Sequence, residues 1–272
     1  MIVNQDGQAF DGNTFFNATF IKNNKIKTIN GSYSFKKNGD LIRKVPGSYT
    51  YSFDKEGRLA AIEDLKWNGK KIDTLLNLYT YNSEGSLAAL KKSEYGGITE
   101  QKMAYDSSGR LDKITNYRVL IDRSGNTVQK TEINSETIQY NGDKSTKLNA
   151  YGLPYLIAYD VFDEYGYKIA SIEKLKRSGT VTKKKYLYNN KGILETLESY
   201  YDKNIDPVET ISFSYDTFGN ITERLQKKMN ILVNDLQVIY DTKTQLLYSI
   251  IRRNPSTNFM EIVRFTTYEY YP

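Results

Sequence analysis

The chain has 272 residues, of which 39% are hydrophobic and 13% aromatic, with 24 tyrosines against a single tryptophan. It contains no histidine and no cysteine, which excludes Ser-His and Cys-His nucleophile systems, disulfide frameworks, and zinc sites built from imidazoles or thiolates. The formal charge of +6 comes from clustered lysines and arginines with acids interspersed, so it indicates a solvated surface with blunted sheet edges. The alternative is attraction to acidic glycans, nucleic acid or anionic surfaces.

The N-terminal sequence Met-Ile-Val-Asn-Gln-Asp-Gly has no basic region followed by an apolar stretch, so we expect no signal peptide there. No apolar run along the chain approaches the roughly 20 residues of a membrane-spanning helix, so no transmembrane segment is predicted. We therefore expect either a mature surface or extracellular protein whose signal or anchor is not in this sequence, or a component of a phage or secreted particle.

A turn motif then recurs along the chain in the form aromatic-x-aromatic-Asp/Asn-x-x-Gly-x-Leu/Ile. Alternating aromatic residues predict a strand, Asp or Asn favours a turn, and glycine accepts the positive φ that closes a short hairpin. Each repeat spans about 26 residues and holds two turns and two strands, which predicts an array of hairpins that bury their apolar faces against one another. The close copies occupy 51–59, 79–87, 103–111, 186–194 and 213–221, and degenerate copies occupy 33–41, 119–125, 161–166 and 238–246.

Residues 53–59 (Phe-Asp-Lys-Glu-Gly-Arg-Leu) and 105–111 (Tyr-Asp-Ser-Ser-Gly-Arg-Leu) resemble the Tyr-Asp-x-x-Gly-Arg-Leu core of the YD repeats. These repeats, also called RHS repeats, belong to large bacterial surface and toxin proteins and to teneurins. The resemblance extends over about 33–246, with a poorly matched, irregular stretch at about 126–160. It implies a β-rich sheet or shell that serves in toxin carriage, adhesion or carbohydrate binding, without catalytic residues in the repeats. We expect no toxin-delivery role, because the sequence shows no associated toxin domain or self-cleavage segment.

The candidate site residues fall into two groups. Aromatic residues within the motif are interpreted as a packing ladder between strands, whereas aromatic residues outside it are candidates for contact with sugars or a partner. Turn carboxylates such as Asp106 and Asp216 are interpreted as backbone caps, so no metal site and no cofactor are predicted. The candidate ligand-binding residues are Trp67, Tyr95, Tyr155, Tyr165, Tyr167, Tyr200, Tyr201, Tyr270 and Tyr271. The structural turn residues are Gly57, Gly85, Gly109, Gly166, Gly192 and Gly219.

The sequence thus predicts an all-β protein, an antiparallel hairpin-repeat meander of roughly 18 to 20 strands with little or no helix. We expect a single domain over 1–272 whose open sheet is elongated, twisted and curved, or forms a half-shell. The predicted function is a non-catalytic structural or adhesive scaffold of a bacterial surface, secreted or particle assembly, with a protein or glycan as partner and no specific nucleic acid. The alternative is a carbohydrate-binding module that uses Trp67 and the tyrosines outside the motif.

Overall fold

The structure is a computed structural model that describes residues 1–272 except 12, 13, 95, 96, 123 and 125. The described residues form 20 strands and one short helix, which confirms the predicted all-β antiparallel arrangement. The elements are β1 (Ile2–Val3), β2 (Phe15–Phe16), α1 (Ala18–Asn23), β3 (Ile26–Lys36), β4 (Arg43–Phe53), β5 (Leu59–Trp67), β6 (Ile72–Tyr81), β7 (Leu87–Glu94), β8 (Gly97–Tyr105), β9 (Leu111–Ile121), β10 (Thr127–Asn141), β11 (Lys144–Leu148), β12 (Pro154–Phe162), β13 (Lys168–Leu175), β14 (Val181–Tyr188), β15 (Leu194–Tyr201), β16 (Glu209–Tyr215), β17 (Ile221–Lys228), β18 (Ile231–Tyr240), β19 (Leu247–Asn254) and β20 (Phe259–Tyr270).

The last strand pairs with the first strand of the meander. β20 runs antiparallel to β3, with Val263 opposite Tyr33 and Glu269 opposite Thr28, and the hydrogen-bonded order of β3 to β20 is that of a closed barrel. The prediction of an open sheet or half-shell was therefore wrong. Local turn signals could not reveal this pairing, because it joins residues more than two hundred positions apart. Closure also removes the unpaired edge strands on which the expectation of edge-blunting lysines rested.

Hairpin geometry follows the repeat motif. In the hairpin of β8 and β9, Tyr105 lies opposite Leu111 and the register shifts by one residue between Ala104 and Tyr105. The same shift precedes Tyr81, Tyr215 and Tyr240, each of which lies opposite the Leu or Ile that begins the return strand. A β-bulge thus stands at a fixed place in every one of these repeats, and it bends the strand just before the turn.

The chain divides into two compact units, of which the first comprises 1–59, 64–73 and 184–272. Its core forms where the N-terminal segment packs on the sheet, with Ile2 and Ile21 fully buried. The Phe16 ring meets Tyr51 and Phe53 edge-on, at centroid distances of 4.8 Å in both cases. Asn17 caps α1 by accepting the Phe20 N–H at 3.1 Å. This segment, which carries no repeat motif, thus adds buried apolar side chains to the core of the unit.

The second unit comprises 60–63 and 74–183 and consists of antiparallel strands. Its buried side chains are widely spaced along the strands, as at Leu90, Val119, Ile138 and Ala170. The stretch at 126–160, predicted to be irregular, contains the 15-residue strand β10 and the short strand β11. The single domain predicted over 1–272 stays a prediction.

Candidate functional site

The turns of the repeats are capped by side chains in one recurring geometry. Asp106 Oδ1 accepts the N–H groups of Ser108 and Arg110, both at 2.9 Å, and the Gly109 N–H donates to the Asp106 carbonyl at 2.9 Å. The hydrogen bond from the Arg110 N–H is the main cause that lowers the pKa of Asp106. The same two bonds, to the second and fourth residues onward, are made by Asp54, Asn82, Asp122, Asn149, Asp163, Asn189 and Asp216.

The turn glycines hold the positive φ angles that this geometry needs. The six residues singled out from the sequence have φ between +71° at Gly192 and +87° at Gly85. The turn after Tyr240 has Thr244 where the motif has glycine, and there Gln245, one residue later, takes a φ of +58°. A longer turn thus compensates for the missing glycine. Of the six glycines, Gly57, Gly109, Gly166 and Gly219 have φ angles between the +71° of Gly192 and the +87° of Gly85.

Successive repeats are joined by tyrosine hydroxyls, a role that the sequence alone did not reveal. The Tyr105 hydroxyl donates to the Leu87 carbonyl at 2.8 Å, and Tyr215 donates to Leu194 at 2.5 Å. In each case the donor precedes the turn Asp of one repeat, and the acceptor lies two residues beyond the turn glycine of an earlier one. Equivalent bonds run from Tyr140 to Leu111, from Tyr240 to Ile221 and from Tyr268 to Leu247. The preference for Tyr over Phe at the position before the turn Asp was the feature of the sequence that could have revealed this role of the hydroxyl.

Most of the predicted ligand-binding aromatic residues lie on different turns and strand ends. In the first unit, Trp67 ends β5 with 39% of its surface exposed, and Tyr201 ends β15 with 54% exposed. Tyr200 and Tyr271 take part in internal hydrogen bonds, to Glu198 at 2.6 Å and to the Phe53 carbonyl at 2.7 Å respectively. Tyr270 stacks on Tyr268 at a centroid distance of 6.4 Å.

In the second unit, the predicted tyrosines have different environments. Tyr165 and Tyr167 lie in the turn between β12 and β13, and Tyr165 is 78% exposed. Tyr155 instead lines a cavity, and Tyr95 lies outside the described residues.

The cavity at Tyr155 has a volume of about 510 Å³, within the range typical of small-molecule sites. We call it the amide cavity, because amide side chains from three neighbouring strands meet on its floor. It forms where β11 ends at Leu148, so that Tyr155 of β12 reaches across to β10 and its hydroxyl donates to Glu136 Oε2. The residues whose chemistry defines it are Gln101, Asn116, Asn134, Glu136, Tyr151 and Tyr155, with Ile114 and Ile133 beside them.

A directed hydrogen-bond row crosses the floor of the amide cavity. Gln101 Nε2 donates to Asn116 Oδ1 at 3.1 Å, and Asn116 Nδ2 donates to Asn134 Oδ1 at 2.8 Å. These residues are cross-strand partners on β8, β9 and β10, so their side chains share one face of the sheet. A bulge leaves Ile133 unpaired beside Asn134, and Ile133 is 54% exposed.

Charge in the amide cavity is internally compensated. Lys147 Nζ lies 3.4 Å from Glu136 Oε1, while the other carboxylate oxygen accepts the Tyr155 hydroxyl. Burial, followed by the hydrogen bond to Glu136, raises the pKa of Tyr155, which keeps its phenol protonated as a donor. Among the described residues that line the cavity, Glu136 alone carries a formal charge.

Comparisons with known proteins leave the family open, since no protein-family model and no curated protein matches the sequence. The similar solved structures include TcdB2-TccC3-TEV, at 13% identity and a TM-score of 0.33 over 78% of this chain and 11% of that one. They also include porin-like proteins from Bacteroides uniformis ATCC 8492 and Bacteroides vulgatus ATCC 8482. The first has 11% identity and a TM-score of 0.42 over 90% and 98% of the two chains, the second 9% and 0.33 over 89% and 98%. The chain spans about a ninth of TcdB2-TccC3-TEV, and likeness at this level assigns no function.

Two further observations concern classes of site. Within the described parts of the chain, no helix is long and apolar enough to cross a membrane. No group of three or more Asp or Glu side chains that could hold a metal ion occurs among those same residues.

Proposed function

We propose that this protein is a non-catalytic β-repeat scaffold of a bacterial surface, secreted or particle assembly, and that it presents an extended face to a protein or glycan partner. The observation that carries the proposal is the tyrosine bond between successive repeats, exemplified by Tyr215 and Leu194. A hydroxyl that donates to a backbone carbonyl of an earlier repeat ties neighbouring hairpins together and so stabilises an extended surface.

The use of the acidic side chains supports a role without catalysis. Asp54 and Asp106 both accept two backbone N–H groups and pair with the arginine that follows in their own turn, at 2.8 Å in each case. A carboxylate committed to three or more such bonds is a poor general base, because its lone pairs are occupied. At Asp106 these bonds also lower the pKa of the carboxyl group. The YD-repeat resemblance is in keeping with this role, and we propose membership of that family on the motif alone.

The scaffold proposal is tested on the protein in its native source. Cell fractionation followed by native size-exclusion chromatography should place the chain in an extracellular or surface fraction, in a complex of fixed stoichiometry measured by mass spectrometry. A chain that elutes only as a monomer from the cytoplasmic fraction would refute the proposal. Turnover of chromogenic glycosides by the purified protein would refute its non-catalytic part.

A second candidate function, a carbohydrate-binding module, is favoured by one observation. Of the tyrosines outside the motif that were singled out from the sequence, Tyr155 lies in a cavity that also presents amide groups. Titration of the protein with polysaccharides, monitored by the fluorescence of the lone Trp67, distinguishes a sugar site at Trp67 from a sugar site elsewhere on the chain. Saturable quenching lost in Trp67→Ala supports a site at the end of β5, whereas binding without quenching points away from Trp67.

A further inference from the structure

We infer that the amide cavity binds an uncharged oligosaccharide. The inference rests on the second function proposed above and is independent of the scaffold. The site differs from the one that the exposed aromatic residues alone would indicate, because the side-chain amides of Gln101, Asn116 and Asn134 form a hydrogen-bonded row within it.

The hydrogen-bonding capacity of the row matches hydroxyl groups. Within the row, each amide that donates an N–H does so to the oxygen of the next, so both ends keep unused capacity of opposite kinds. Among the described residues, Gln101 Oε1 at one end receives no hydrogen bond and the Asn134 amide N–H groups at the other end donate none, so they remain as an acceptor and as donors. Since a sugar hydroxyl both donates and accepts, neighbouring hydroxyls on one ring could satisfy such a directed row.

The apolar lining suits the C–H faces of a sugar ring. Ile114 lies opposite Glu136 on the floor, and Tyr151 stands in the turn between β11 and β12 with 87% of its surface exposed. An aromatic ring so exposed at the edge of a polar cavity offers a flat apolar surface that a ligand would cover. The Tyr151 N–H is held by Asn149 Oδ1 at 3.0 Å, so its backbone is fixed before a ligand arrives.

The electrostatics select against charged ligands. An anionic group would meet the Glu136 carboxylate and no lining cation, whereas a cation would compete with Lys147 for a carboxylate that already has two partners. A neutral polyhydroxyl compound incurs neither cost. The charge and hydrogen-bonding groups of the cavity lining therefore point to an oligosaccharide without sulfate or carboxylate groups.

The chain offers a matched pair of variants for the test. Tyr151 and Tyr165 occupy the same position in two capped turns, each with its N–H on the turn Asx Oδ1 at 3.0 Å, and both are highly exposed. Only Tyr151 lines the amide cavity. The experiment is isothermal titration calorimetry of the full chain with maltohexaose, cellohexaose, mannohexaose and chitohexaose, and with a heparin fragment as the anionic probe.

We expect saturable binding of at least one neutral probe, weakened about tenfold by Tyr151→Ala and by Asn134→Ala and unchanged by Tyr165→Ala. Circular dichroism of all three variants checks that the fold is intact. A silent neutral panel, binding of the heparin fragment alone, or an equal loss in Tyr165→Ala would overturn the inference. Each of those results leaves the scaffold proposal standing, because that proposal depends on assembly state and not on sugar affinity.

Discussion

Gly57 should be far less tolerant of a side chain than the turn glycines Gly109, Gly166 and Gly219, because α1 docks directly on it. A Cβ at Gly57 would lie 2.1 Å from the Ala18 carbonyl oxygen and 2.8 Å from the Lys22 nitrogen. Ordinary contact begins at 3.4 Å, so the helix would have to retreat by about 1.3 Å (3.4 minus 2.1). Both groups that it meets belong to the backbone, which cannot rotate away as a flexible side chain can.

Gly109 provides the control for Gly57→Ala. Its φ of +76° is close to the +79° of Gly57, yet a Cβ there would meet nothing within 4 Å. Gly109→Ala should therefore cost only the left-handed backbone term of about 1–2 kcal/mol. Gly57→Ala should cost that amount and, through undocking of the buried Ile21, about 1.5–3 kcal/mol more.

Hydrogen exchange followed by mass spectrometry measures the difference. In Gly57→Ala we expect the amides of Ile21 and Asn24, which bond within the helix turn at 3.0 and 3.1 Å, to lose protection. In Gly109→Ala the loss should be confined to the hairpin of β8 and β9. Wild-type protection of α1 in Gly57→Ala, or equal loosening of α1 in both variants, would refute the docking argument.

Three further predictions concern the repeat junctions and turns. Tyr105→Phe removes the bond to the Leu87 carbonyl and should lower the free energy of unfolding by about 1 kcal/mol in urea titration. Tyr201→Phe, at an exposed strand end, should change it by less than about 0.5 kcal/mol, and equal effects would contradict a stabilising role for the tyrosine bond between repeats. Asp216→Ala should lower the free energy of unfolding by about 1 kcal/mol in the same assay, and Asp216→Asn should lower it much less, because Asn caps other turns of this chain. A large loss of stability in Asp216→Asn would show that the charge of the residue matters more than its capping hydrogen bonds. Folding lowers the pKa of Asp106 from 3.8, so the stabilisation from its carboxylate is present above pH 3.8 and is lost as the pH falls through the lower pKa of the folded state. Asp106→Asn should therefore make the free energy of unfolding less dependent on pH in this acidic range, and an unchanged dependence would contradict the prediction.

The hairpin repeats could be predicted from sequence because each turn is a local event. Asp106 and Gly109 interact with residues a few positions away, so spacing alone predicts the cap and the positive φ. The β-strand content follows from the same alternation of aromatic residues. Closure of the strand order could not be predicted in this way, because the pairing of β20 with β3 depends on the cumulative geometry of all the intervening strands.

The candidate site was predictable only in part. Tyr155 stood out as an aromatic residue outside the motif, whereas Gln101, Asn116 and Asn134 are unremarkable polar residues on three strands. Their meeting requires the cross-strand register, which a sequence pattern of period two does not specify. The N-terminal segment was missed for a related reason: it contacts residues distant in sequence, as where Ala18 meets Gly57 and where the Leu247 N–H donates to Met1 Sδ.

The tyrosine junction also bears on how such a chain can grow. Its acceptor is a backbone carbonyl, so the side chain at that position can vary without loss of the bond, and donor and acceptor need no constant spacing. Tyr105 and Leu87 are 18 residues apart, whereas Tyr140 and Leu111 are 29 apart, with the lengthened hairpin of β9 and β10 between them. A hairpin can thus gain residues while the tyrosine bond to the neighbouring repeat is kept, so new surface loops can arise without a change in how the repeats are joined.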